Sequence, residues 1–130
     1  MHGLLADALA TDPHTAVRTC LSSGRRLPGF GHTVYRNGDP RLAPLLEAVH
    51  ELDDASDLRP VVDQVLLEAG AALGKHPNVD FGLGALAFVA RLPADMPVFA
   101  VARIAGWAAH DQEERSERPV RFRGLATPIR

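Results

Sequence analysis

The chain has 130 residues, of which 46% are apolar and 23% charged, so it has the size and composition of one modest domain with a real core. Its formal net charge of −2 excludes a global basic field of the kind that binds nucleic acid. A single cysteine, Cys20, excludes an intramolecular disulfide and a cysteine-based zinc site.

The first third of the chain predicts two helices and a long loop. A short apolar helix is predicted over 4–9, and the stretch MHGLLADALATD lacks the basic start and long apolar run of a signal peptide. Asp12 and Pro13 are typical of an N-cap and a first helical position, so a second helix should run from there to about Leu21. Glycines and prolines punctuate residues 28–40, which excludes a helix across them.

The remainder also has helical periodicity, so we predict an all-α, multi-helical fold. Apolar residues share a face over 42–52, a helix with Pro60 near its start should end at about 70–74, and FGLGALAFVARL is apolar nearly all round and therefore buried. The last predicted helix runs from about Val98 to Glu114. Its apolar stretch PVFAVARIAGWAA is interrupted by Arg103 and is too short to span a bilayer, so we expect a cytoplasmic protein without membrane contact.

Three ionisable residues stand out from their surroundings. His32 lies between a glycine-rich turn and a Thr-Val-Tyr segment, and is either a ligand-facing donor or a loop histidine in water. Asp80, at the start of an apolar helix, is either its N-cap or a general base in a partly dry pocket. Arg103, within an apolar helix, either forms an internal salt bridge, snorkels to the surface, or binds a substrate carboxylate. No histidines have ligand spacing, so no metal site is predicted.

Three stretches carry a resemblance to a known family. LPGFGHTVYRNGDPR, NVDFG and FAVARIAGWAAH resemble, in order, three motifs of the citrate synthase family, and the resemblance covers nearly the whole chain from about Ala6. It implies an all-helical fold in which residues 1–110 form the small-domain region and residues 111–130 form a tail of the large-domain type. It also implies a citrate synthase-type acyltransferase of the tricarboxylic acid cycle, which condenses acetyl-CoA with oxaloacetate to give citrate and CoA.

The resemblance assigns roles to individual residues. His32 matches the histidine that polarises the ketone of oxaloacetate, and Asp80 matches the base that takes a proton from the acetyl methyl group. Arg41 and Arg103 match arginines that bind the oxaloacetate carboxylates. In RFRGLATP the family's last substrate arginine corresponds to Arg123, with Arg118 as the rival. The residues that match contacts to CoA, the co-substrate, are Pro28, Gly29, Gly31, Arg36 and Asn78. No covalently bound cofactor and no metal is implied.

The resemblance also implies an incomplete site. The family's HGG histidine, which stabilises the acetyl-CoA enolate, belongs upstream of this chain, and His2 only superficially echoes it. We therefore expect a truncated member of the family or one half of a split enzyme. We also expect the chain to form a homo-oligomer or to pair with a separate chain that carries the amino-terminal half. The alternatives are a non-catalytic module that binds CoA or a dicarboxylate or serves in assembly, and, within the enzyme class, a 2-methylcitrate synthase that uses propionyl-CoA.

Overall fold

The computed structural model describes residues 1–53 and 57–116, and within these ranges the chain forms six α-helices. Their bounds are α1 (His2–Ala10), α2 (Pro13–Ser22), α3 (Leu42–Glu51), α4 (Arg59–Leu73), α5 (Val79–Val89) and α6 (Val98–Ser116). Among the described residues the one extended pairing is an isolated antiparallel bridge between Phe30 and Pro77. The prediction of an all-α fold is therefore confirmed.

Local signals set several helix ends where the sequence predicted them. The Asp12 side chain accepts a hydrogen bond of 2.8 Å from the backbone N–H of Thr15, and Pro13 takes the first helical position of α2. Gly74 ends α4 in the left-handed conformation, with φ of 58° and its N–H donating to the Gly70 carbonyl. These ends fix where the loops that carry the polar residues can begin.

The core is built around α5, which packs mainly against α3 and also against α1, while α2 packs against both α1 and α4. Seven residues of α5 are buried, as its all-round apolar pattern predicted. The largest fully buried side chains are Phe81, Leu5, Val17, Val49, Val62 and Val65. The exposed Asp80 lies near the amino end of this largely buried helix.

The chain divides into one compact unit from Met1 to Phe99 and a second that begins at Ala100. The second unit contains most of α6, whose apolar residues are exposed, including Trp107, which is 63% exposed. The division of the chain into residues 1–110 and 111–130 stays a prediction. Among the helices described, none has the length and apolar character needed to cross a membrane.

The loop after α2 is held against the amino end of α5 by main-chain contacts. The N–H of Gly31 donates to the His76 carbonyl at 2.8 Å, and the N–H of Asn78 donates to the Gly29 carbonyl at 2.9 Å. Gly29 has φ of +79°, and a Cβ atom there would lie 2.9 Å from Cα of Phe81. Glycine is therefore required at this position both by conformation and by close approach.

Gly29→Ala should destabilise the protein more than Gly24→Ala does, as measured by urea unfolding. Gly24 also has a positive φ, of +71°, but nothing lies within 4 Å of its Cβ position. Gly24→Ala should lower the free energy of unfolding by about 1–2 kcal/mol because alanine disfavours the left-handed conformation. Gly29→Ala should lower it by about 1–3 kcal/mol more because the added methyl group overpacks the site. Equal losses in the two variants would contradict the close packing of the loop on Phe81.

Candidate active site

The imidazole of His32 is held in one orientation by its own loop. Its Nδ1 atom lies 3.1 Å from the backbone nitrogens of both Val34 and Tyr35. Two N–H groups that point at one ring nitrogen require that nitrogen to accept, so in the neutral ring the proton lies on Nε2. His32 therefore presents an N–H donor from the outer end of its ring.

Arg41 lies beside this donor at the other end of the loop. Its Nη2 atom is 3.5 Å from Nε2 of His32, and both atoms carry hydrogen. Its Nε and Nη2 atoms also donate to the two carboxylate oxygens of Asp39, at 2.9 and 2.8 Å. The hydrogen bonds that Arg41 donates to Asp39 raise the pKa of Arg41, and attraction to Tyr35 and Asp80 adds to the effect. Two donors that converge in this way suit an oxygen acceptor between them.

Tyr35 completes a three-residue group that the sequence analysis did not identify. Its ring packs against the His32 imidazole with centroids 4.9 Å apart, and the Arg41 guanidinium carbon lies 5.2 Å from its centroid. Cation–π attraction and ring packing hold both donors in place. The GHTVYR spacing places Tyr35 three positions after His32, but the fold of the loop decides that the two rings meet.

Asp80 is the second residue of α5, and Asn78, not Asp80, is the N-cap. The Asn78 side-chain oxygen accepts from the Asp80 backbone N–H at 3.0 Å, and its amide donates to the Gly31 carbonyl at 2.7 Å. The N-cap alternative for Asp80 was therefore wrong. The expected partly dry pocket is also not observed, because Asp80 is exposed while its neighbour Phe81 faces the core.

A cationic cleft of about 540 Å³ lies between the loop and the segment after α4. The residues that line it are Arg26, Phe30, Gly31, His32, Thr33, Tyr35, Arg36, Gly74, Lys75 and His76. None of these lining residues is a carboxylate, and three of them, Arg26, Arg36 and Lys75, have basic side chains. Lys75 and His76 were not predicted as site residues. The cleft suits a polyanionic ligand.

The other residues predicted for the site lie in several different parts of the structure. Gly31 and Arg36 line the cationic cleft, whereas Pro28 lines a separate cleft of about 690 Å³ between α1 and α2. Gly29 is buried against Phe81. Arg103 is exposed on α6 in the second unit, as the alternative in which it snorkels to the surface requires. Arg123 and its rival Arg118 lie outside the described residues. The proposed roles of all these residues stay predictions.

Two further histidines contact carboxylates on the surface. His14 contacts Glu68 at 2.9 Å, and His50 contacts Asp63 at 3.2 Å while its other ring nitrogen contacts the Leu46 carbonyl at 2.7 Å. The Leu46 carbonyl and then Asp63 raise the pKa of His50. In residues 1–53 and 57–116 no group of three or more histidine, cysteine or acidic side chains is arranged to hold a metal ion.

Comparison with known proteins agrees with the motifs. The family model described as "Citrate synthase, C-terminal domain" matches residues 2–123. A citrate synthase from Synechocystis sp. is 37% identical over 108 residues, which are 77% of this chain and 27% of that protein. A 2-methylcitrate synthase from Mycobacterium tuberculosis is 31% identical over 119 residues, 88% of this chain and 30% of that protein.

A solved structure has the same fold. The citryl-CoA lyase from Hydrogenobacter thermophilus matches with a TM-score of 0.63 and 25% identity, over 99% of this chain and 56% of that one. The matched part of the chain therefore corresponds to 27% of the length of the citrate synthase and 30% of the length of the 2-methylcitrate synthase.

The ring of His32 should be in the Nε2–H tautomer, because two backbone N–H groups donate to Nδ1. Long-range ¹H–¹⁵N correlation spectra of the neutral ring test this directly, with the exposed His76 as the internal comparison. A proton on Nδ1 of His32 would contradict the donor geometry described above.

Proposed function

The chain belongs to the citrate synthase family, and we propose that it supplies the carbonyl-polarising donor, the base and the CoA phosphate cleft of an acyl-condensing active site. The observation that carries the proposal is the convergence of His32 Nε2 and Arg41 Nη2, which lie 3.5 Å apart beside a cleft lined by cations. A ketone oxygen flanked by carboxylates, as in oxaloacetate, matches such a pair of donors.

His32 and Arg41 act on the acceptor substrate. The Nε2–H of His32 donates to the ketone oxygen of oxaloacetate, and the free N–H groups of Arg41 hold an adjacent carboxylate. As the new carbon–carbon bond forms, the ketone oxygen becomes an alkoxide. A fixed N–H donor and a neighbouring guanidinium stabilise that charge more in the transition state than in the ground state.

Asp80 acts on the donor substrate. Its carboxylate takes a proton from the methyl group of acetyl-CoA, and the resulting enolate carbon attacks the ketone carbon of oxaloacetate. The product is citryl-CoA, and water then cleaves the thioester to release citrate and CoA. The position of Asp80 at the amino end of α5 supports this role, because backbone N–H groups and the helix dipole favour a carboxylate there.

The cationic cleft binds the phosphates of CoA. Arg26, Arg36 and Lys75 supply three positive charges around its rim, and Gly31, which has no side chain, lets a phosphate approach the loop closely. The predicted contact through Asn78 takes a different form in this proposal. Its side chain already bonds Gly31 and Asp80 within the chain, so it acts by shaping the wall of the cleft.

Three alternatives rest on specific observations. The exposure of Asp80 favours a module that binds CoA or a dicarboxylate without turnover, since proton abstraction from a thioester needs a desolvated base. The likeness to a citryl-CoA lyase favours cleavage of citryl-CoA, which is the reverse of the carbon–carbon step and uses the same groups. A 2-methylcitrate synthase would use propionyl-CoA in place of acetyl-CoA.

Asp80→Asn should lower thiol release from acetyl-CoA and oxaloacetate by about 10²–10⁴-fold, because it removes the base. The assay uses the chain alone and the chain mixed with the amino-terminal portion of a citrate synthase, with propionyl-CoA and citryl-CoA as further substrates. An unchanged rate in Asp80→Asn would overturn the assignment of the base.

The matched control is Asp95→Asn, which changes an exposed carboxylate in the turn after α5 and should leave the rate unchanged. Melting curves with CoA and with oxaloacetate separate the alternatives, since a bound ligand raises the midpoint. Ligand binding without turnover in either preparation favours the binding module. No shift with either ligand favours a helical scaffold and contradicts the proposed function.

We also propose that α6 contacts another polypeptide, either a second copy of this chain or a chain that carries the amino-terminal half. Val101, Ile104 and Trp107 of α6 are all more than half exposed. An apolar stretch of this length exposed on one helix is typical of a protein interface rather than of a free surface.

Trp107→Ser should reduce this association, as measured by size-exclusion chromatography with light scattering across a concentration series. The wild-type chain should show a mass above the 14.0 kDa of one chain, alone or with the amino-terminal portion. Leu67→Ser, which changes an exposed apolar residue of α4, is the matched control and should not change the mass. A wild-type monomer under both conditions counts against the interface.

A further inference from the structure

We propose that Asp39 is a positioning residue that holds Arg41 away from Asp80, so that the substrate-binding arginine and the base remain separate. This inference rests on the proposed function, because it concerns how the same site stays competent to bind a dicarboxylate. None of the sequence motifs assigned a role to Asp39, although it lies in the GDPR segment beside Arg41.

The carboxylate of Asp39 is completely buried and receives four N–H donors. Its Oδ1 accepts from the backbone N–H of Arg41 at 3.1 Å and from the Arg41 Nε at 2.9 Å. Its Oδ2 accepts from the Arg41 Nη2 at 2.8 Å and from the backbone N–H of Val79 at 3.0 Å. The Asp39 side chain is 0% exposed while that of Arg41 is 47% exposed. One buried group thus joins the arginine to the first residue of α5.

The charge on Asp39 is well compensated. Hydrogen bonds from Arg41 hold the pKa of Asp39 far below its ordinary value of 3.8 against the opposing effect of burial, and the Val79 N–H contributes further. The N–H of Val79 is one of the amino-terminal groups that a helix leaves without an internal partner. Asp39 therefore satisfies the amino end of α5 and orients the guanidinium through the same carboxylate.

Asp80 is the alternative partner for Arg41. It directly follows Val79, the α5 residue that Asp39 contacts, and its negative charge raises the pKa of Arg41, after the effects of Asp39 and Tyr35. Asp39 occupies Nε and one hydrogen of Nη2, which leaves the Nη1 side of the fork for a substrate carboxylate. Without this restraint the guanidinium can pair with Asp80, and that pairing removes the arginine from substrate binding and neutralises the base.

Three variants test the inference through oxaloacetate binding, measured by calorimetry on the full chain. Asp39→Asn places an NH₂ group against Val79 N–H and Arg41 Nη2, so oxaloacetate affinity should fall by about tenfold or more. Asp39→Asn in an Arg41→Ala background should cause no further loss, since Asp39 acts through Arg41. Asp80→Asn added to Asp39→Asn should restore part of the affinity, because the competing carboxylate is gone.

The controls separate positioning from folding. Asp12→Ala removes the side chain that caps α2 and should lower stability without changing oxaloacetate affinity. If Asp39→Asn fails to fold, Asp39→Glu is used instead, because it keeps the charge but moves the carboxylate. Asp39→Glu should lower oxaloacetate affinity in the wild-type background and should cause no further loss in the Arg41→Ala background. The inference would be overturned if the losses of oxaloacetate affinity caused by Asp39→Asn and by Arg41→Ala add in the double variant. It would also be overturned if Asp80→Asn, added to Asp39→Asn, restores none of the affinity.

Failure of the proposed function has a different signature. If the wild-type chain does not bind oxaloacetate, the proposed function fails, and the positioning role is then read without ligand from NMR hydrogen exchange. In wild type the Arg41 Nε–H and the Val79 N–H should exchange slowly, and Asp39→Asn should speed both at least about tenfold. Unchanged exchange at Arg41 Nε–H in Asp39→Asn would overturn the inference in that case.

Discussion

The short antiparallel contact between residues 29–31 and 76–78 is the constraint on which the rest of the site depends. Two main-chain hydrogen bonds of 2.8 and 2.9 Å join segments that are far apart in the chain. They form only because Gly29 brings the loop backbone against Phe81, where a side chain would collide. This contact positions His32 and brings the loop together with Lys75 and His76. It also places Arg41 beside the amino end of α5.

The polar groups at the start of α5 cap the helix and assemble the site through the same bonds. Asn78 accepts from the Asp80 N–H and donates to the Gly31 carbonyl, while Asp39 accepts from the Val79 N–H and from Arg41. Each buried group satisfies a helix end and a loop at once, because unpaired buried polar groups are costly. Stability and site geometry are therefore coupled at this position, and a substitution of either residue affects both.

The charges of the site are arranged in two zones. The cationic cleft contains no carboxylate among its lining residues, whereas Arg41 is paired with the buried Asp39 and shielded on one side by Tyr35. Under the proposed function, a polyanion meets the basic side chains of the cleft, and a dicarboxylate meets the oriented donor pair next to it. Asp80 is exposed, so under the proposed function a covering surface from outside helices α1–α5 must exclude water from the base during reaction.

The sequence by itself determined the all-α class, the starts and ends of most helices, the buried character of α5 and the family to which the chain belongs. These features follow from local signals, such as the Asp12–Pro13 start, the Gly74 stop and the apolar period, together with short motifs read in order. Only the tertiary structure decided that Asn78 and not Asp80 caps α5, because either side chain is chemically able to do so. The tertiary structure also identified Asp39, Tyr35, Lys75 and His76. Their roles depend on contacts between segments distant in sequence, and local pattern carries no information about which buried carboxylate an arginine will meet.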